Sequence, residues 1–558
     1  MHHAPSSEKL IGPALGKEPS DIVFTGACLF DPFTCTWIET DFAVAYGRIV
    51  GFGDSYRGRK TCDLKGKRVI PGLIDAHVHI ESSLLVPSEY ARVVAMHGST
   101  TVVADPHEIA NVCGVEGLLY MLEEREGLPV DMFFMLPSCV PATPLDRGGA
   151  EITAKDLARF VGREGVIGLG EMMNVPGVLG HDHGVWEKLA LFPIIDGHAP
   201  LLKGPALNAY ICAGIESDHE STERDEAAEK LTRGMYIFAR EGSTEKNLKA
   251  LIPLANACSA SRMAFATDDR HADMLVEDGH IDDCIRKSLQ YGLDLETALR
   301  MATLSAADRF SLRDRGALAP GRLADFCILR DGDGFIIEKT FKRGMLINPR
   351  TREAPRIIKA PMEARIPTRE SLAIEGKGMA RVIGIVPQQI LTEKKEYLVD
   401  GSKIPDTDRD IIKVVVCSRY RNGIQGLGLV HGFGLKKGAI AGSVSHDAHN
   451  LVAVGADDQA LLDSLAAIIH AGGGMAVADS GSVDLLPLEC AGLMSTLPAE
   501  EVAERLHALN SRAEGLGALP EAFMYLSFLA LTVIPSIRIT ERGMFDADTF
   551  RDVPLFIS

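Results

Sequence analysis

Three observations place this chain in the α/β class and predict a (β/α)8 TIM-type barrel inserted in a small β-sandwich, followed by an α+β domain. Short apolar runs alternate with helical stretches from Val69 to about Arg309, the pattern of a parallel sheet. Strand-like text without such helices flanks that region on both sides. Polar, metal-capable side chains gather where the apolar runs end, the edge at which barrels carry their chemistry.

Residues 1–68 and 310–360 read as one discontinuous β-sandwich. Ile22-Val23-Phe24, Trp37-Ile38, Phe42-Ala43-Val44 and Ile49-Val50 are strand-like runs separated by turn residues such as Gly47, and strand text returns from Gly316 to about Asn348. Residues 69–309 hold eight strand candidates: Ile70–Ile80, Thr100–Asp105, Asp131–Leu136, Val166–Glu171, Phe192–His198, Ala209–His219, Met235–Ala239 and Met263–Asp268. Helical stretches such as Ile109–Arg125 lie between them, and no Gly-x-Gly-x-x-Gly turn follows the first strand, which disfavours an open doubly wound sheet. Thr351–Pro367 reads as a linker, and residues 365–558 leave room for a further domain of strands and helices.

The 558 residues, 46% hydrophobic and 24% charged, are those of an ordinary globular protein of two or three domains. A net charge of −18 argues against nucleic acid or an anionic membrane as partner. The 11 cysteines include no Cys-x-x-Cys pair, which together with the lack of a signal-like start predicts a reduced, cytoplasmic protein. Phe523–Ile537 is too short to span a bilayer and contains Pro535.

His77 and His79 are two apart at the end of the first barrel strand, so both imidazoles face one side. Alone, such a pair reads equally well as two packed histidines. The other strand ends decide: Glu171 closes the fourth, His198 the fifth, His219 the sixth and Asp268 the eighth. These six residues form a ligand set for two divalent ions, suiting manganese, iron or zinc rather than magnesium or calcium. Such a pair generates hydroxide near neutral pH, and Asp268 would accept its proton and pass it to the leaving group.

His77-Val-His-Ile-Glu-Ser-Ser83, Asp105-Pro-His-Glu-Ile-Ala-Asn-Val112, Gly170-Glu-Met-Met-Asn174, Asp196-Gly-His-Ala-Pro200, Ser217-Asp-His-Glu220 and Thr267-Asp-Asp-Arg270 resemble the adenine deaminases of the amidohydrolase superfamily. Ser445-His-Asp-Ala-His-Asn450 and Leu486–Ser495 resemble that family's C-terminal domain. The resemblance runs from about Asp21 to the end. It implies hydrolysis of adenine to hypoxanthine and ammonia, purine salvage, a dinuclear centre with manganese the expected metal, a bridging role for Glu171 and a homodimer.

Attack at C6 places negative charge on the neighbouring ring nitrogen, so a protonated carboxyl or similar donor must meet N1. Glu81, two beyond His79, is the expected donor, and Glu81, Ser82 and His107 are the expected substrate contacts. Asp105 is expected either to cap the helix that follows or to face the mouth, and Asp269 with Arg270 to support the base as an ion pair. His97, His181 and His183 are expected at the surface, and His446, Asp447 and His449 in a structural or covering role ahead of a separate metal site.

Overall fold

The computed structural model describes residues 7–332, 334–348, 355–387, 389 and 391–557. Eight strands, Ser20–Asp31, Thr36–Ala45, Arg48–Phe52, Gly58–Asp63, Arg68–Pro71, Phe326–Leu329, Ile337–Lys342 and Met345–Leu346, join in one continuous sheet. Ser20–Asp31 bends at Gly26 (φ +67°), with a register shift between Phe24 and Ala27. Before the bend it pairs with Gly58–Asp63, and after it with Arg68–Pro71, so the sheet folds over on itself. Four buried phenylalanines fill the fold: Phe24 stacks on Phe42 at 4.8 Å, Phe326 stacks on Phe341 at 4.5 Å, and the two pairs meet edge to face. Two precede the barrel in sequence and two follow it, so this core joins both ends of the inserted segment.

The run expected as a single first barrel strand, Ile70–Ile80, is two strands in two sheets. Arg68–Pro71 lies antiparallel to Phe326–Leu329, whereas Leu73–Val78 lies parallel to Ser99–Ala104. The chain changes sheets at Gly72, where a Cβ would stand 2.2 Å from Thr100 Oγ1, so glycine is required by close approach.

The barrel strands are Leu73–Val78, Ser99–Ala104, Asp131–Leu136, Val166–Met172, Ile195–Gly197, Ser217–Asp218, Tyr236–Arg240 and Met263–Ala266. All their pairings are parallel. Glu216 N–H donates to Ile195 O (3.2 Å) at one seam; Asp268 N–H donates to His77 O (3.0 Å) and His79 N–H to Asp268 O (3.2 Å) at the other. Ile74, Ala76, Val103, Met135, Phe238, Ala264 and Ala266 fill the interior. The sixth strand corrects the sequence reading: Ala209–Cys212 ends a helix, Gly204–Cys212, entered through Pro205, and only Ser217–Asp218 is extended.

The C-terminal region holds an eight-stranded sheet in the order Thr392–Asp400, Lys377–Ile385, Gln425–His431, Ile411–Cys417, Leu451–Gly455, Ala439–Gly442, Gly474–Asp479, Ser482–Pro487. Helix Asp458–Ala471 crosses it, its N-cap Asp457 accepting from Ala460 N–H and its end marked by Gly472. Of the expected linker, 351–354 lies outside the described residues, and 355–367 has no helix or strand. This region packs on the barrel through one shared apolar core, in which Leu84, Ile109 and Leu136 meet Val444, Leu493 and Leu526. Ser495 N–H donates to Leu84 O (2.7 Å) across the junction. Among the described residues no helix is long and apolar enough to cross a membrane.

Candidate metal centre and active site

Barrel strands present their last side chains at one rim because each strand ends pointing toward it. His77 and His79 lie with their Nε2 atoms 3.2 Å apart, and Asp268 Oδ1 is 3.4 Å from the first and 3.1 Å from the second. Glu171 divides its carboxylate. Its Oε1 lies 3.3 Å from His79 Nε2 and 3.9 Å from His77 Nε2, while its Oε2 lies 2.6 Å from His198 Nδ1 and 3.3 Å from His219 Nε2. All six sequence-expected metal residues are therefore brought together.

The surroundings fix these side chains. His79 Nδ1 is 2.9 Å from Asp105 O, which places the proton there and leaves Nε2 unprotonated and able to ligate a metal. Asp105 Oδ2 accepts from Glu171 N–H (2.9 Å). Asp105 therefore braces the fourth strand and caps nothing: the helix His107–Glu124 has Pro106 at its N-cap and no side-chain cap. Tyr210 accepts from His198 N–H (3.1 Å) and donates to Met172 O (2.6 Å). The buried Lys230 ammonium joins Ala199 O (2.6 Å), Asp218 (3.0 Å) and Glu226 (2.8 Å), bracing the turns that carry His198 and His219.

Arg240, at the end of the seventh strand, donates to Asp268 Oδ2 (2.6 Å) and to Glu220. Burial opposes ionisation of Glu171, but His198 and its neighbours hold the carboxyl well below the usual range; Arg240 does the same for Asp268. His79 and His219 are likewise pushed down by burial, yet the facing carboxylates hold them well above the usual imidazole range. A buried set of imidazole and carboxylate donors that draws positive charge this strongly fits two first-row divalent ions.

A cavity adjoins the cluster, and His79, Glu171, His198, His219 and Asp268 themselves line it. His107, Glu220, Arg240, Glu245 and Asp269 line its barrel side, and His446, Asp447, Phe528, Leu531, Val533 and Ile534 line it from the C-terminal domain. His107 stands at this wall, its Nδ1 3.4 Å from Glu171 Oε1. Glu81 and Ser82 do not line it. Glu81 lies past the strand in a 3-10 turn, Glu81–Ser83, so its expected place on the strand face is not met. Its Oε1 accepts from Ile109 N–H (3.1 Å), its Oε2 has no hydrogen-bond partner, and burial pushes its pKa up to about 7. Ser82 donates to Asp269 Oδ1 (2.5 Å). Glu245 shares the orphaned buried oxygen and a pKa pushed by burial, then by Asp269, up to about 7.

The expected Asp269–Arg270 pair is absent: Arg270 turns away to Asp283 (2.8 Å) and Glu241 O (2.8 Å). His181 and His183 are exposed, whereas His97 is half-buried 3.3 Å from Asp282. Glu108 ties the two domains together, its oxygens meeting His446 Nδ1 (2.5 Å) and His449 Nε2. His449 Nδ1 accepts from Ser445 N–H (3.1 Å), so its Nε2 carries the proton and donates to Glu108. That tautomer supports a structural role over a second metal site.

Sequence reasoning missed Arg240, Glu245, Glu108 and the apolar wall. Arg240 lay one residue beyond the strand end as read, and Glu220 stood inside a quoted motif without a role. The wall comes from a different domain and carried no local signal.

The model described as amidohydrolase family matches residues 68–347, and that described as adenine deaminase C-terminal domain matches 389–551. The adenine deaminase of Methanoregula boonei is 58% identical over 560 residues, covering 100% of both chains. That of Methanoculleus marisnigri is 61% identical over 516 residues, 92% of this chain and 99% of its own. Adenine deaminase 2 of Carboxydothermus hydrogenoformans is 44% identical over 563 residues, 98% of this chain and 99% of its own.

Proposed function

The chain belongs to the adenine deaminase family of amidohydrolases, and on that premise we propose that its barrel mouth hydrolyses adenine to hypoxanthine and ammonia. The observation that carries the reading is Glu171, one carboxylate facing two imidazole pairs. His77, His79, Asp268 and Glu171 Oε1 would hold one divalent ion; Glu171 Oε2, His198 and His219 would hold the other. When bound, such ions, manganese in this reading with iron or zinc as alternatives, would supply the acidity that makes water a nucleophile near neutral pH.

Asp268 takes one proton from the attacking water as oxygen joins C6. A neutral carboxyl gives its proton to N1, which holds the ring negative charge. Asp268 then protonates the amino group, the C6–N bond breaks, ammonia leaves, and the C6 hydroxyl proton returns to the carboxylate. Arg240 holds Asp268 in place through the oxygen that does not face the histidines. Glu81, the donor expected from sequence, keeps an orphaned oxygen and a pKa near 7, but Glu245 has both properties and lines the cavity. The geometry favours Glu245, with His107 as a substrate contact. Glu245→Gln in place of Glu81→Gln should abolish turnover with both metals retained; the reverse result returns the role to Glu81.

In the same proposal residues 69–309 carry the chemistry, 1–68 with 310–360 brace the barrel, and 365–558 cover its mouth. Purine salvage by a cytoplasmic homodimer completes it, supported by the family and by the 11 unpaired cysteines. The test is to offer metal-loaded protein adenine, guanine, cytosine and dihydroorotate and to follow ammonia together with the ultraviolet spectrum, which also reports ring opening of dihydroorotate. Release from adenine alone is expected; no release from adenine with manganese, iron or zinc supplied refutes the reading.

A further inference from the structure

Among the residues that line the cavity from the C-terminal domain, Phe528, Leu531, Val533 and Ile534 form a hydrocarbon face beside the polar His446 and Asp447. We infer that Phe528, Leu531, Val533 and Ile534 restrict the substrate to the free purine base by occupying the space that a substituent on N9 would need. The inference rests on adenine being the substrate, as proposed above.

The purine's own geometry sets the direction. C6 must meet the strand-end cluster, and N9 lies at the far end of the bicyclic ring from C6. With C6 at the floor, N9 is directed toward the domain that covers the mouth. The four side chains there offer no hydrogen-bonding group. A ribose hydroxyl driven against them would be buried unpaired, which costs more than a missing methylene in an apolar pocket.

This wall is built to hold its position. The buried Arg538 guanidinium donates to the carbonyls of Phe528 (2.9 Å), Ile534 (2.8 Å) and Pro535 (2.8 Å), fixing both ends of the segment 528–535. Thr532 Oγ1 donates to Asp146 Oδ2 (2.8 Å), on the loop after the third barrel strand. His446 stacks on Phe528 at 4.7 Å with the rings 14° apart. Met524, Phe528, Leu531 and Ile534 pack into a cluster of their own. A segment tied at three points to backbone, barrel and ring acts as a fixed wall whose shape selects the substrate.

The test uses the metal-loaded full chain, with adenine and 9-methyladenine as substrates and Ile534→Ala and Leu531→Ala as variants. Truncation opens space while leaving the Arg538 contacts, which are to backbone, in place. The ratio of kcat/KM for 9-methyladenine over adenine should rise by on the order of 10-fold or more in either variant, the scale of one to two methylenes in a pocket. A ratio within twofold of the unmodified protein's, in folded variants that still deaminate adenine, overturns the inference. Should both variants fail to fold, unmodified protein decides: 9-ethyladenine and adenosine should be turned over at least 100-fold less efficiently than adenine, and efficiencies within tenfold overturn the inference. Absence of ammonia from adenine itself would instead refute the deaminase reading.

Discussion

Replacing Glu108 by Gln should weaken the junction between the barrel and the C-terminal domain in a pH-dependent way. Glu108 is 1% exposed and receives hydrogen bonds from both His446 and His449. Burial pushes the His446 imidazolium down, but Glu108 outweighs it and raises the pKa to about 9 from an ordinary 6.5. A histidine with a raised folded-state pKa contributes stability that is fully present below pH 6.5 and lost as pH rises through 9. A rise of this size corresponds to about 3 kcal/mol. Most of it comes from Glu108; Asp269 and Asp447 add smaller attractions that survive the substitution. If the C-terminal domain melts as a unit, the gap in Tm between the two proteins should be roughly 6–12 °C at pH 6 and should shrink by more than half at pH 9.5. Differential scanning calorimetry across that range reads it. A gap that is the same at both pH values would refute the assignment of a charged His446–Glu108 pair.

Other substitutions bear on the site and on the scaffold. Glu171→Gln removes one shared ligand oxygen and should lower bound divalent metal from two ions toward one per chain, measured by elemental analysis after gel filtration. Asp268→Asn should keep folded protein but reduce adenine turnover by roughly 10²–10⁴-fold, the usual contribution of a positioned proton carrier; near-normal kcat would remove Asp268 from that role. Phe326→Ala should cost about 3–5 kcal/mol in denaturant unfolding, because the side chain is fully buried among Phe24, Phe42 and Phe341.

The barrel and the candidate metal cluster were legible because both depend on local pattern. A strand end fixes which way His77 and His79 point, and Glu171 and Asp268 close runs of apolar residues. The sixth strand was misread because Ala209–Cys212 is apolar enough to pass for strand, while the extended piece, Ser217–Asp218, is too short to have a period. Asp105 before a proline looked like a helix cap, yet its partner, Glu171 N–H, is 66 residues away and left no local trace. Phe528 to Ile534 resembled ordinary core, and only the packing of one domain on another turns those residues toward the cavity. Glu81 shows the same limit in reverse. Its spacing from His79 promised the strand face, but the strand ends at Val78 and the next turn redirects the side chain.

The proposed reaction turns on water adding to C6 of adenine at the cluster formed by His77, His79, Glu171, His198, His219 and Asp268. Turnover of adenine by manganese-loaded protein in ¹⁸O-water, followed by mass spectrometry of the purine and assay of ammonia, tests that step directly. One ammonia and one hypoxanthine carrying a single ¹⁸O per adenine consumed, with the signal lost in Glu171→Gln, is the predicted result. No ammonia, or hypoxanthine without the label, would contradict it.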